Sequence, residues 1–447
     1  MKKFLALILV LVMAIMPVVC VTTSADEISV QLSHQWAEFS MGDTHAAAIQ
    51  PEGLGYAWGY NYDGPIGNGI LASSNTPTPY HWGDGIAAVS ANNKTTAYLT
   101  ESGELYLMGR IWWGVGGSTD MPTPYVYPNG YRLATNVRQM SMGFDHLVFV
   151  KNDNTLWVYG ENEHGQLGTG NTTNYYTPRQ ALTNVSYAVA GDCLTAAVKT
   201  DGSLVTAGYN ASGQVGNNST TDQTTFVQVL SGAFTVSCFG DHVMAIKTDG
   251  SLWAWGRNDY GQLGRGNTTN QKTPVQVMTG VAQVSAGMYH TGAIKTDGSL
   301  WFCGNNWRGC FGNGTTSGYS AANSTFTRTE GSFVAVSCGN NATAALSASG
   351  QLFMAGANGY GQLGTGATAG SVPEFTPIDV WIFNAPSAGL PGDVNCDGMV
   401  TMADLSALSA YLLGKGTVTE QGLINGDVNH DGTPNVIDMP LIYQLTF

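Results

Sequence analysis

Hydrophobic and polar positions in this chain follow one pattern that recurs seven times. Each copy has a run of small and apolar residues, as in Thr291-Gly292-Ala293-Ile294, then a polar turn, then an alternation such as Ser251-Leu252-Trp253-Ala254-Trp255. Period-two alternation puts every second side chain on one face of a strand, so the two runs predict an antiparallel hairpin. The turns are Glu52-Gly53, Ser102-Gly103, Asp153-Asn154, Asp201-Gly202, Asp249-Gly250, Asp297-Gly298 and Ser349-Gly350. Such pairs supply the positive φ angles of a two-residue type I′ loop, which is the turn expected here. A polar loop, Asn258-Asp259-Tyr260-Gly261-Gln262-Leu263-Gly264, then leads to the extended Thr273-Pro274-Val275-Gln276-Val277. Each copy thus accounts for about four strands, the size of one propeller blade.

The phase is strict. An aromatic-rich strand ends in Gly59, Gly109, Gly160, Gly208, Gly256, Gly304 and Gly356, at steps of 50, 51, 48, 48, 48 and 52 residues. Fourteen residues before these stand His45, Thr95, His146, Leu194, His242, His290 and Ala342. Gly-x-x-His (Gly-x-His at Gly240), Asp-Gly-Ser-Leu-Trp-x-Trp-Gly-x-Asn and Gly-Gln-Leu-Gly-x-Gly together resemble the regulator of chromosome condensation repeat, best at 240–266, 143–170 and 287–314 and over roughly residues 36–384. The resemblance implies an all-β seven-bladed propeller, with the histidines as packing residues. Copy two departs from it, with Gly109-Arg110-Ile111-Trp112-Trp113-Gly114 in the loop, and copy six departs more mildly at Asn305 to Gly312. Phe375 to Phe383 reads as one further strand that pairs with the first blade and closes the ring.

The periodicity stops at Ala385-Pro386-Ser387-Ala388-Gly389-Leu390-Pro391, a linker composition. Beyond it two segments thirty-four residues apart share one spacing: Asp393, Asn395, Asp397, Met399, Thr401 and Asp404, then Asp427, Asn429, Asp431, Thr433, Asn435 and Asp438, each with Gly at the sixth place. Calcium takes six to eight oxygens from loop positions 1, 3, 5, 7, 9 and 12, so two Ca2+ sites are expected, with Met399 and Thr433 giving their carbonyls. Asp at position 12, with no helix pattern ahead of either loop, excludes an ordinary EF-hand pair. Two tandem loop-helix copies of this kind are similar to a type I dockerin, a small α-helical domain, over 392–447. That resemblance implies a cohesin partner, contacted through Met402, Ala403, Ser409 and Ala410 in the first copy and Val436 and Ile437, with Tyr443 and Gln444, in the second. The copies differ strongly and Pro440 interrupts the second helix. A single binding mode dominated by the first helix is therefore expected.

Charge narrows the partners. Lys+Arg number 17 against 31 Asp+Glu, a net −14, and no basic stripe exists, which argues against nucleic acid. Met1-Lys2-Lys3, the apolar run Phe4 to Met16 and the small-residue site Thr23-Ser24-Ala25 predict a secretory signal over residues 1–25. Cys20 follows Pro17-Val18-Val19, which lacks the small residue that lipid-anchor processing needs, and no later stretch is long and apolar enough to span a bilayer. The domain reading is a signal peptide 1–25, a propeller 26–384, a linker 385–391 and the dockerin 392–447. Cys193, Cys238, Cys303, Cys310, Cys338 and Cys396 would remain after cleavage; the even count admits disulfides. Cys238 and Cys338, however, take a repeat position that holds Ala286 elsewhere, which favours buried thiols.

No catalytic constellation emerges. A ring of repeat histidines interrupted by Thr95, Leu194 and Ala342 is too dispersed for zinc. Glycoside hydrolysis needs paired carboxylates, and Asp201, Asp249 and Asp297 already serve as turn residues. Trp58, Trp157, Trp253, Trp255 and Trp301 belong to the repeat and are expected in the core, whereas Trp112, Trp113 and Trp307 fall in variable loops and are candidates for ligand stacking. The expectation is a secreted, scaffold- or cell-surface-associated subunit that docks on cohesin through calcium, its propeller binding a protein or glycan in the service of polysaccharide breakdown. The alternative is a glycoside hydrolase or lyase with its active site on the propeller.

Overall fold

The computed structural model describes residues 39–381, except 51–52, 70, 80–84, 93, 112–124 and 369, together with the pairs 19–20 and 31–32. Packing divides the chain into two units, Met1–Phe383 and Asn384–Phe447. The calcium-loop and cohesin-contact positions, the dockerin helices, Cys396, Trp112 and Trp113 all lie outside the described residues. A two-residue ladder, Val19–Cys20 with Gln31–Leu32, spans the expected cleavage point. Among the described residues no helix is long and apolar enough to cross a membrane.

The first unit is a seven-bladed β-propeller: seven antiparallel sheets, each built from four strands consecutive in the chain. The fifth blade shows the plan with Ala233–Phe239, His242–Lys247, Leu252–Gly256 and Gln271–Met278. First strands of neighbouring blades touch, while fourth strands scarcely meet, so the first strands line the axis. This explains the residue sizes. The second strand is covered on both faces by adjacent blades where the wedge between them is narrow, and it is buried along its length, as in His45–Ile49 (His-Ala-Ala-Ala-Ile). Farther out the wedge widens and larger side chains fill it. The apolar clusters accordingly lie between blades: Met244, Ile246, Leu252 and Ala254 of the fifth pack on Val281, Val284, Ala286 and Ala293 of the sixth.

Three sequence expectations change. The hairpins are not two-residue type I′ loops. Lys199 N donates to Ser203 O and Gly202 N to Lys199 O, so three residues form the loop. Only Gly202 (φ 79°) takes positive φ; Thr200-Asp201 form a right-handed turn and the glycine a bulge that restores the strand twist. Asp201 Oδ1 accepts from Ser203 N at 2.9 Å and from its hydroxyl at 2.6 Å, which fixes the turn locally. Next, Ser371–Trp381 pairs with Gln351–Ala357 as the fourth strand of blade seven, not with blade one. Blade one already has four strands of its own, Phe39–Met41 to Ser74–Pro79, so its sheet has no vacancy. Finally, of the repeat tryptophans only Trp58 and Trp255 are fully buried; Trp157, Trp253 and Trp301 are half-buried, each giving its indole N–H to a turn hydroxyl (Thr155, Ser251, Ser299) under a lysine.

Closure is made by loops. In blades three to six the loop after the third strand reaches the fourth strand of the next blade: Gly170 N to Thr224 O, Asn218 N to Lys272 O, Gly266 N to Ser324 O and Gly314 N to Pro373 O. The same bond from Gly366 N to Asn75 O, 2.8 Å, joins blade seven to blade one. Trp58 Nε1 adds a bond to Gln362 O at 2.9 Å, and Met41, Ala46, Ala48 and Trp58 share a core with Ala342, Ala344, Leu346 and Met354.

Candidate functional site

The order of strands sends the turns between first and second strands, and the loops between third and fourth, to the same end of the propeller. Six of the loops are each organised by one buried asparagine two residues past the landmark glycine. Asn258 Oδ1 accepts from Leu263 N at 3.0 Å, and its Nδ2 donates to Asn267 O and Thr269 O. Asn61, Asn162, Asn210, Asn306 and Asn358 repeat the arrangement, their Oδ1 taking the amide five residues on. Copy two has Ile111 at this place, so it lacks the side chain that shapes the loop.

The four repeat histidines stand beneath this face and are fully buried. Each Nε2 meets a threonine of the next blade: His45 with Thr96, His146 with Thr195, His242 with Thr291 and His290 with Thr343, at 2.8–2.9 Å. Thr291 Oγ1 donates to Gln262 O, so its proton is committed and His242 Nε2 is the donor in their bond. Burial lowers His146, His242 and His290 to about 3, keeping them neutral. These are blade-to-blade fasteners, and the described residues include no cluster of His, Cys, Asp or Glu able to hold a metal ion. Cys193, Cys238, Cys303, Cys310 and Cys338 are free thiols, all buried but Cys193.

Above the histidines the turns carry carboxylates: Asp43, Asp145, Asp192 and Asp241 in blades one, three, four and five. Burial raises Asp43 to about 6, and Asp145 and Asp192 to about 7. Mutual repulsion adds to this: Asp192 feels Asp43, Asp241 and Asp145, and Asp145 feels Glu161 and Glu163. Asp241 is also raised by burial, with Arg257 and Gln214 opposing. Oδ1 of Asp43 and of Asp192 is buried and makes no hydrogen bond. Sequence reasoning misses these residues because they stand one or two places before the repeat's histidine position (Leu194 in copy four) and match no catalytic motif; recurrence of acids at adjacent turn positions is the available signal.

Around the carboxylates the loops present aromatic rings. Tyr60 packs on Tyr62 and Tyr360, centroids 5.5 Å apart in both pairs, under Lys94, which pairs with Asp63 at 3.2 Å. Tyr260 meets Tyr289 at 5.3 Å beneath Arg257, itself paired with Asp259 and Asp241. His164 lies against Tyr209 and bonds Asp222 at 2.8 Å. Trp307 is half-buried: the Arg308 guanidinium lies 3.8 Å from its ring centre and Tyr319 meets it edge-on at 4.9 Å, leaving Tyr319, 65% exposed, as the outermost ring. Tyr62 and Tyr360 are also exposed. The face thus has acid at its centre and aromatic rings outside it.

The fold is that of a seven-bladed β-propeller. Comparison with known proteins then assigns the parts. The regulator of chromosome condensation (RCC1) repeat model matches residues 153–198 and 249–294, a second model of that repeat matches 137–166, 235–262 and 333–362, and the dockerin type I domain model matches 391–444. The chain carries RCC1 repeats forming a seven-bladed propeller, followed by a type I dockerin domain. It is 32% identical over 156 residues to the ultraviolet-B receptor UVR8 of Arabidopsis thaliana, covering 33% of this chain and 34% of that one. To the regulator of chromosome condensation of Mus musculus it is 32% identical over 131 residues, 28% of this chain and 31% of that one. It thus spans about a third of the length of these relatives. Among solved structures the propeller is similar to human WBSCR16 (TM-score 0.63, 18% identity, 73% of this chain and 94% of that one) and to Prp20p of Saccharomyces cerevisiae (TM-score 0.60, 20% identity, 68% and 80%), likenesses of fold.

Proposed function

We propose that this protein is an exported docking subunit: its dockerin binds a cohesin module of an extracellular scaffold in a calcium-dependent way, and its propeller recognises a second partner. The single observation that carries the docking half is the dockerin match over 391–444, within which both calcium loops fall. The donors at Asp393, Asn395, Asp397, Met399, Thr401 and Asp404, and at Asp427, Asn429, Asp431, Thr433, Asn435 and Asp438, are all oxygens, the set a hard cation takes, and would hold two Ca2+ ions. Bound calcium fixes the loops and so presents the helices that follow. The acidic, ring-studded loop face supports a protein with a basic surface as the propeller's partner, and setting such recognition within a cellulosome-type assembly gives it a place in polysaccharide breakdown.

The docking reading has an internal test. Exchanging Ser409 and Ala410 for Asp in the full chain is expected to weaken cohesin binding by an order of magnitude or more, roughly what a buried charge at an interface costs, while the same change at Tyr443 and Gln444 leaves it nearly unaltered. Calorimetric titration with cohesin decides this; equal losses from both helices contradict the single binding mode.

The enzyme reading has one observation in its favour. Asp201, Asp249 and Asp297 are held below the ordinary carboxylate range by hydroxyl and amide donors of Ser203, Ser251 and Ser299, the wrong direction for a general acid. Asp145 and Asp192 are raised to about 7, the direction such an acid needs. Polysaccharide hydrolysis by the full chain that disappears in Asp192→Asn would establish that reading in place of recognition.

A further inference from the structure

In three blades the last residue of the second strand is a lysine lying over the tryptophan six positions on. Lys151 stands 4.2 Å from the ring centre of Trp157, Lys247 4.4 Å from Trp253 and Lys295 5.2 Å from Trp301. Each ammonium there rests on an aromatic face, an attraction that grows where water is excluded. In blade seven the same two positions hold Ser347 and Phe353. The lysine is missing, and a cavity of about 610 Å³ opens at that place between blades six and seven.

Its walls have a local origin. The fourth strands of blades three, four and five each contain two register shifts, but that of blade six, Asn323–Thr329, contains one. The residue not absorbed in a bulge lengthens the connection to blade seven to Glu330-Gly331-Ser332, where blade five has Thr279-Gly280. This puts Glu330 at the cavity rim. Glu374, from the fourth strand of blade seven, lines it as well, and Phe333 and Phe375 form apolar wall beside Phe353. Among the described residues neither glutamate has an ion-pair partner. Arg328 also borders the cavity, and its charge acts on Asp297 of the neighbouring hairpin.

We propose that this cavity receives a lysine side chain of a partner polypeptide, its ammonium taking the place over Phe353 that a lysine of the protein itself takes in three other blades, with Glu330 and Glu374 as counter-charges. The site lies between the outer parts of blades six and seven and is bordered at one end by Gly312 and Asn313 of the blade-six loop.

The test is titration of the full chain with an N-acetylated tetralysine peptide at low salt, beside tetraglutamine and spermidine. Ser347→Lys restores the intramolecular stack and fills the site without removing any wall. The expected result is saturable tetralysine binding weakened about tenfold or more in S347K and in the E330Q/E374Q pair, with an unchanged or raised melting temperature in S347K, the magnitude following from loss of a desolvated cation-aromatic contact and two charges. Tetralysine binding that is the same in S347K as in the parent would overturn the proposal and put the peptide elsewhere, the acidic loop face included. Spermidine binding as tight as the peptide's and equally lost in S347K would overturn it too, making the site one for free amines.

Discussion

Asp192 concentrates the tension on the loop face. Its carboxyl is buried with one oxygen unpartnered, and burial and three neighbouring aspartates push it to about 7 from the ordinary 3.8. The folded chain therefore binds more protons than the unfolded chain between about pH 4 and 7, and this residue's contribution to stability is lost as pH rises through that window. Asp43 and Asp145 act in the same direction. The buried histidines act oppositely: lowered to about 3, they leave the unfolded chain with more protons below about 6.5, so their contribution is lost as pH falls. Asp192→Asn is expected to raise the melting temperature at about pH 8 and to leave it near the parent's at about pH 4; scanning calorimetry of parent and variant at both values checks this. A shift of equal size at both would show that the gain has nothing to do with charge. None of this was legible in the sequence, because a pKa is set by what packs against the group, and Asp43, Asp145 and Asp241 come to Asp192 from other blades.

At the scale of the element, two glycines of blade five separate conformational strain from collision. Gly250 ends the hairpin at φ 77°, and a Cβ added there would meet nothing closer than 3.8 Å, so Gly250→Ala is expected to cost only the strain of a left-handed residue, about 1 kcal/mol. Gly256, the landmark at φ 97°, lies against the carbonyl oxygen of Asp241 and the backbone of His242, and a Cβ would strike both. Gly256→Ala is expected to cost about 3 kcal/mol or more, the range of backbone strain joined to overpacking. Urea unfolding of the two variants measures the difference, and equal losses would contradict the packing account. The strands were legible from their alternation and the glycines from their spacing. The turn type was not, since Asp-Gly serves equally in a two-residue loop or as the last two residues of a three-residue loop, and only the pairing of Lys199 with Ser203 distinguishes them. The half-burial of Trp157, Trp253 and Trp301 was equally hidden: alternation tells which face a side chain takes but not whether the next blade covers it.

For the whole molecule, the ring is legible in the count of seven phased copies, while the way it closes is not. A terminal strand looks alike whether it completes its own blade or another's, and the deciding facts are that blade one holds four strands and that Gly366 bonds Asn75 across the seam. The proposed calcium loops fall in a separate unit, Asn384–Phe447, so chelation is expected to leave the propeller's unfolding transition in place. In the proposed function, calcium-ordered docking on cohesin delivers this propeller to a scaffold. The most direct measurement is binding of the full chain to a panel of type I cohesins in calcium and in chelator, with the Asp393→Ala/Asp427→Ala variant alongside. Saturable binding to at least one cohesin is expected, abolished by chelator and by the paired variant, with the propeller transition unchanged. No binding to any calcium-loaded cohesin, or binding that persists in chelator, would contradict it.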